Sequence, residues 1–204
     1  MTEIPDAPLF DAFFRVAAAH GWRGLTMRRV ADAAGVPLET LRLRYATPVD
    51  LLLAAGRAVD AEVIAATITG QGSARDRLFD VLMRRFDALQ KHREGVKRLV
   101  AEVPRDPLAA LALGTALLAS MAWMLEAAEI DTRGAQGVAR VNGTVGVWTA
   151  AYRAWAKDES EDLGPTMAAL DKAMDQAERI ARTLRLPDGD LAAPSESDTG
   201  TTPT

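Results

Sequence analysis

"TMRRVADAAGVPLETLRLRY", Thr26–Tyr45, holds two short helical runs with a glycine between them. Thr26 is of the type whose hydroxyl caps a helix start, and Val30 is spaced to face inward from a helix over Met27–Ala34. Gly35 supplies the turn, because glycine enters left-handed backbone without steric cost. Pro37 opens a second run to Tyr45, in a first-turn position where its missing N–H costs nothing. Upstream, Leu9, Phe10, Phe13, Val16 and Ala17 recur at helical spacing over Asp6–His20, and Gly21 stops that helix.

Three short helices with a glycine turn between the last two fit a helix-turn-helix, whose final helix reads the major groove of DNA. A length of 204 residues suits one compact domain, or two small ones that share a core. Ala, Leu, Met, Glu and Arg dominate and β-branched runs are scarce, which predicts an all-α fold. The net charge of −4 excludes polyanion binding by bulk charge. Locally the balance reverses: between His20 and Arg57 six arginines face Asp32, Glu39 and Asp50, a net of +3. The chain has no cysteine, which excludes disulfides, thiolate catalysis and cysteine-based zinc sites. His20 and His92 lie far apart with no nucleophile or metal partner near them in sequence, so neither cofactor nor enzymatic activity is expected.

Thr47-Pro48-Val49-Asp50 is a capped start for a fourth helix running through Leu53, Val59 and Val63 to about Ile68. Ser73 with Asp76 begins a fifth, to about Lys91, with an apolar stripe of Leu78, Leu82, Phe86 and Leu89. A shorter helix is expected over Glu94–Val103. Leu108–Met124 then carries no charge over 17 residues, at the bottom edge of a membrane span. Its Ala-rich composition, its Asp106-Pro107 start and its run into Glu126 and Glu129 predict a buried core helix instead. With no basic start at the N-terminus, which carries Glu3 and Asp6, the expected compartment is the cytoplasm, with no transmembrane segment. Two more helices are predicted, Gln136–Lys157 and Gly164 to about Leu186, with Gly134-x-x-Gly137 as a turn. Pro187–Thr204, rich in Ser, Thr, Asp, Gly and Pro, is expected to be a disordered tail.

The wider stretch "AAAHGWRGLTMRRVADAAGVPLETLRLRYATPVDLL", Ala17–Leu52, resembles the N-terminal domain of the TetR family. The features that carry the likeness are "HGW", the Thr that opens "TMRRVADAAGV", then "TLRLRY", then a capped fourth helix ending "DLL". The resemblance spans about residues 8 to 56 and implies a homodimeric transcription regulator. Its third helix would enter double-stranded DNA, and its C-terminal helices would form a ligand pocket and a dimerising bundle. It implies a DNA-binding domain over 6–56 and a ligand-binding and dimerisation domain over 57–186, with the fourth helix as connecting lever. Thr26, Arg28, Thr40, Arg42, Arg44 and Tyr45 are the DNA-contact candidates, Tyr45 at the aromatic position that packs the third helix on the first. The sequence departs from the family where Pro37, Leu38 and Glu39 replace a small polar start, and where Arg42-Leu43-Arg44 replaces Tyr-x-His. Glu39 opposes phosphate, and the two arginines restore attraction. "DRLFDVLMRRFDALQKHREGVKRL" and "KDESEDLGPTMAALDKAM" are similar to a TetR-fold, lipid-binding accessory protein of ubiquinone biosynthesis that no longer acts on DNA. That group's Trp-Tyr pair ahead of its penultimate helix is Gly137-Val138 here.

In the C-terminal half, Leu82, Phe86, Met121 and Met124 are expected to bound a pocket for a hydrophobic small-molecule effector, methionine adapting to irregular shapes. Ala139, Gly143, Gly146 and Ala150 form a small-residue stripe. With Leu170, Met174, Ala177 and Ala181 it is expected to make a homodimer seam. Trp148, Tyr152 and Trp155 read as core. Glu126, Glu129 and Asp131 read as a solvated helix end, His92 as a surface helix end, and His20 as a helix C-terminus facing the dipole.

Overall fold

The computed structural model describes residues 6–68 and 70–183; the tail expected over 187–204 lies outside the described residues. All regular structure among them is helical. The helices are α1 (Asp6–Gly24), α2 (Met27–Ala34), α3 (Leu38–Arg44), α4 (Pro48–Ala66), α5 (Ala74–Gln90) and α6 (Arg93–Glu102). A 3₁₀ turn over Val103–Arg105 leads to α7 (Pro107–Ala127), α8 (Gly134–Trp155) and α9 (Gly164–Thr183). The termini agree with side-chain chemistry. Thr47 with Asp50 and Ser73 with Asp76 close reciprocal capping boxes at α4 and α5. Asp106 accepts from the Ala109 N–H at the start of α7.

α1 packs across α2 and α6, α4 against α5 and α7, and α8 against α7 and α9. One continuous apolar core runs from Leu9 and Phe13 on α1, through Leu41 and Leu51, to Trp155 and Leu170. Leu82, Phe86, Met121 and Met124 are fully buried in it, and the Phe86 and Trp148 rings stack at 4.2 Å. Trp148 and Trp155 are core as expected, and the Trp155 indole N–H donates to Gln90 at 2.9 Å. Tyr152 is half-buried, and burial alone pushes its hydroxyl up to about 12.

Four expectations need correction. Gly21 breaks α1 without ending it: the helix resumes to Gly24 after φ 67° and ψ −178°. Gly134-x-x-Gly137 is the first turn of α8, with Gly137 pressed on the Thr132 carbonyl. His92 is not a surface end, since it stacks on Phe14 at 4.4 Å and pairs with Asp11 at 3.3 Å. Burial there holds the imidazole below its ordinary range. α7 is not wholly a core helix. Ala109, Ser120, Met121, Met124 and Leu125 are buried, whereas its other face is open. Among the described residues it is also the one helix long and apolar enough to cross a membrane by length and composition.

Candidate nucleic-acid interface

The α2–α3 corner is set by a few residues. Thr26 accepts the Arg29 N–H at 3.3 Å, so its hydroxyl caps α2. Gly35 sits at φ 68°, ψ 30°, and the following Val36 N–H returns to the Ala31 carbonyl at 3.0 Å. This left-handed closure favours glycine. Val30, Ala31 and Leu41 are buried and pin both helices to α1 and the core. Arg15 donates to the Ala33 carbonyl at 3.1 Å and ties the far end of α2 to α1.

That packing decides which side chains of α3 point outward. Glu39, Arg42, Leu43 and Arg44 are exposed, Leu43 by 80%, and Thr40 is half-buried. Pro37 precedes α3 without a side-chain cap. Glu39 in the first turn compensates, because a carboxylate there meets the positive end of the helix dipole. Its position is therefore explained by α3's own stability, at the cost of negative charge on the outer face. Arg28 and Arg42 are exposed and make no ion pair among the described residues. The Arg44 guanidinium lies 5.5 Å from the Tyr45 ring, and Tyr45 is half-buried against the core. Arg44, Tyr45, Ala46, Asp50, Leu53 and Arg57 line a cleft of about 390 Å³ between the end of α3 and α4. Arg29, by contrast, turns back to donate to the Gly24 carbonyl.

The module is fastened to the rest of the chain by contacts that sequence reasoning missed. Gly95 on α6 lies so close to α1 that an added Cβ would stand 2.5 Å from the Phe14 carbonyl oxygen. The Glu102 carboxylate covers Gly21 and accepts the Trp22 N–H at 2.9 Å. Arg98 bonds Glu102 at 3.1 Å and the Ala18 carbonyl at 2.9 Å, and the Trp22 indole donates to Asp106 at 3.1 Å. Arg98 first, then the Trp22 N–H, hold the Glu102 carboxyl below its ordinary range despite desolvation. The one available signal was "HGW", whose glycine and tryptophan both serve this clamp.

Deeper in, the Asp60 carboxylate on α4 accepts from Arg85 at 3.1 Å and from Ser120 at 2.8 Å, all three residues being buried. Arg85 also lies 4.5 Å over the Trp148 ring. Leu82, Phe86, Met121 and Met124 all belong to the same buried apolar core. A second surface concavity, of about 340 Å³, lies on α9 at Gln176, Arg179, Ile180 and Thr183. The expected seam divides. Gly143, Gly146 and Ala150 are exposed and Ala139 is half-buried, and added Cβ atoms at the two glycines meet nothing within 4 Å. Leu170 and Met174 turn inward into the core, and Ala177 and Ala181 are half-buried. Among the described residues no group of three or more His, Cys, Asp or Glu side chains is placed to hold a metal.

No protein-family model matches the chain, and no curated protein matches it. Solved structures do. The chain is similar to a TetR transcriptional regulator from Rhodococcus sp. RHA1, with TM-score 0.62 and 17% identity over 84% of this chain and 93% of that one. It is similar to a TetR-family transcriptional regulator from Streptomyces coelicolor, with TM-score 0.56 and 14% identity over 90% and 86%. It is also similar to the fatty acid degradation regulator FadR from Bacillus halodurans, with TM-score 0.55 and 19% identity over 87% and 96%. At these identities the likeness is one of architecture, and it is unambiguous: the chain has the fold of the TetR-family regulators.

Proposed function

We propose that this protein is a dimeric, TetR-like transcription regulator that binds double-stranded DNA through α3 and responds to a hydrophobic small molecule. The observation that carries the reading is the outer face of α3. Arg42, Leu43 and Arg44 project from a corner locked by Gly35 and Leu41, and Arg28 on α2 is exposed as well, on a chain whose net charge is −4. Arg42, Arg44 and Arg28 neutralise phosphates, and an arginine on this face pairs with guanine. Thr26, Thr40 and Tyr45 support that placement, Thr26 as cap and Tyr45 as the anchor of α3's end. The DNA-reading part spans 6–56 and the effector part begins at 57. Ligand entry parts Met121 and Met124 from Leu82 and Phe86, and the deformable methionines suit that opening. The name of the Bacillus halodurans neighbour, a fatty acid degradation regulator, supports an apolar effector.

The test is fluorescence anisotropy over a salt series, with the promoter of the protein's own gene and an unrelated duplex. Wild type is expected to prefer its own promoter. Arg42→Ala weakens binding to both duplexes and lowers the salt slope by about one. Glu39→Gln strengthens binding. No preference at low salt, together with no effect of Glu39→Gln, refutes DNA reading. The second reading, a TetR-fold lipid-binding accessory protein without DNA binding, then takes its place. The exposure of Leu43 and of the outer face of α7 favours it.

A further inference from the structure

Arg85 and Asp60 are each 8% exposed and Ser120 5%, so an ion pair lies inside the C-terminal helices. It is satisfied on one side only. Both bonds that Asp60 accepts fall on Oδ1, from the Arg85 Nε–H at 3.1 Å and the Ser120 hydroxyl at 2.8 Å. A guanidinium carries five N–H donors in a rigid fork. Arg85 uses one, and the four on Nη1 and Nη2 meet no acceptor among the described residues, although neither nitrogen is sealed from solvent. The Trp148 ring, 4.5 Å from Cζ, attracts the charge but supplies no lone pair. Asp60 Oδ2 has no donor either, so four hydrogens stand against one oxygen, and what the cluster lacks is acceptors. The cluster adjoins the apolar residues expected to bound an effector pocket. Arg85 and Phe86 are neighbours in the chain, and both touch the Trp148 ring. Ser120 immediately precedes Met121.

We propose that Arg85 is the polar recognition point of the effector site, and that its ligand is an uncharged apolar molecule carrying a carbonyl oxygen. The inference rests on the hydrophobic-effector reading above and adds the chemical class of the ligand. Charge decides that class. Asp60 already neutralises Arg85, so a carboxylate ligand would leave a net negative charge inside the helices, which burial penalises heavily. A pure hydrocarbon would strip water from the free N–H groups and give them nothing in return. A carbonyl oxygen accepts from Nη1 or Nη2 and leaves the charge balance as it is. The apolar remainder of the ligand takes the place of contacts among Leu82, Phe86, Met121 and Met124, all of them fully buried without it. Recognition and burial are thereby divided between two adjoining sets of residues, one for the oxygen and one for the carbon skeleton.

The experiment is an NMR titration of the full chain with isotope-labelled arginine and methionine. The probes are acetophenone, α-methylstyrene, in which a CH2 group replaces the carbonyl oxygen, and benzoate. Each is also used with a para-butyl tail, so that two ligand sizes are covered. Acetophenone is expected to bind about 10-fold more tightly than α-methylstyrene, as a hydrogen bond from a charged donor allows. It should move the Arg85 guanidinium signals together with the Met121 and Met124 methyls, and benzoate should bind more weakly than either. Arg85→Met alone strands the buried Asp60 charge and can fail to fold. The control is therefore Asp60→Leu/Arg85→Met, which removes both charges, and in which acetophenone and α-methylstyrene should bind alike. Three results overturn the proposal and leave the hydrophobic-effector reading standing: equal binding of the two by wild type, a ketone preference that survives in the double variant, or benzoate as the tightest ligand. If no probe of either size binds, the proposal and that reading fall together.

Discussion

Asp60→Ala removes the carboxylate that compensates a buried guanidinium, so the change should be among the most costly single substitutions in the chain. The Arg85 side chain is only 10% exposed and that of Asp60 12%, with 3.1 Å between the paired atoms. Burial pulls the guanidinium below its ordinary range, and the nearby Asp60 carboxylate opposes the shift. Deleting one partner of such a pair costs about 3–5 kcal/mol, most of it from the charge left behind. The Ser120 hydroxyl loses its acceptor as well. In a chain of this size that loss lowers the melting temperature by roughly 10 °C. The double variant Asp60→Leu/Arg85→Met removes both charges and should recover most of the stability, short of about 1–2 kcal/mol for the arginine–Trp148 contact. Urea denaturation followed by circular dichroism and tryptophan fluorescence measures the full cycle. If Asp60→Ala costs under about 1 kcal/mol, or if the double variant is less stable than either single one, the cluster is not a buried ion network and the reasoning fails.

Other outcomes follow from local geometry. Gly21→Ala should cost about 1–3 kcal/mol, because its backbone lies in a region open essentially to glycine alone. The new methyl would also evict the Glu102 carboxylate, which the environment of Trp22 should report by fluorescence. Asp158 is buried, which would raise its carboxyl, but hydrogen bonds from Ser160 and Thr166 outweigh this and bring it down to about 2. A depressed carboxyl stabilises the fold above its unfolded value near 3.8, and that contribution is lost as pH falls through about 2. Asp158→Asn should therefore flatten the acid limb of a stability–pH curve between those values while lowering stability at neutral pH. Gly95→Ala should loosen α6 from α1, seen as faster amide exchange in α1 with α8 and α9 unchanged.

The helix-turn-helix was legible because its determinants are local: a cap at Thr26, a left-handed glycine at Gly35 and an inward Leu41 lie within 16 residues. What was missed is non-local. Asp60, Arg85 and Ser120 are separated by 25 and 60 residues from the carboxylate, and no periodicity announces that they meet. Glu102 reaches Trp22 across 80 residues in the same way. The stripe of Leu82 and Phe86 said which side of α5 faces inward. It could not say that Trp148 would fill the space opposite. For α7, hydropathy registered apolar character on every side, and only packing revealed that one side has no intrachain partner. Leu170 and Met174 were assigned outward for the converse reason, since α9 uses its apolar residues to close the chain's own core.

The clamp on Gly21 changes the mechanics of the N-terminal three-helix module. Chain continuity through α4 anchors the module at one place, and the Glu102–Trp22–Asp106 grip anchors it at another. A rigid body pinned at two separated points keeps one rotation, about the line that joins them. Free tilting of that module is therefore suppressed, and a displacement of the C-terminal helices reaches α3 as a turn about that single axis. Cutting one pin should not unfold the module. It should restore the missing rotations.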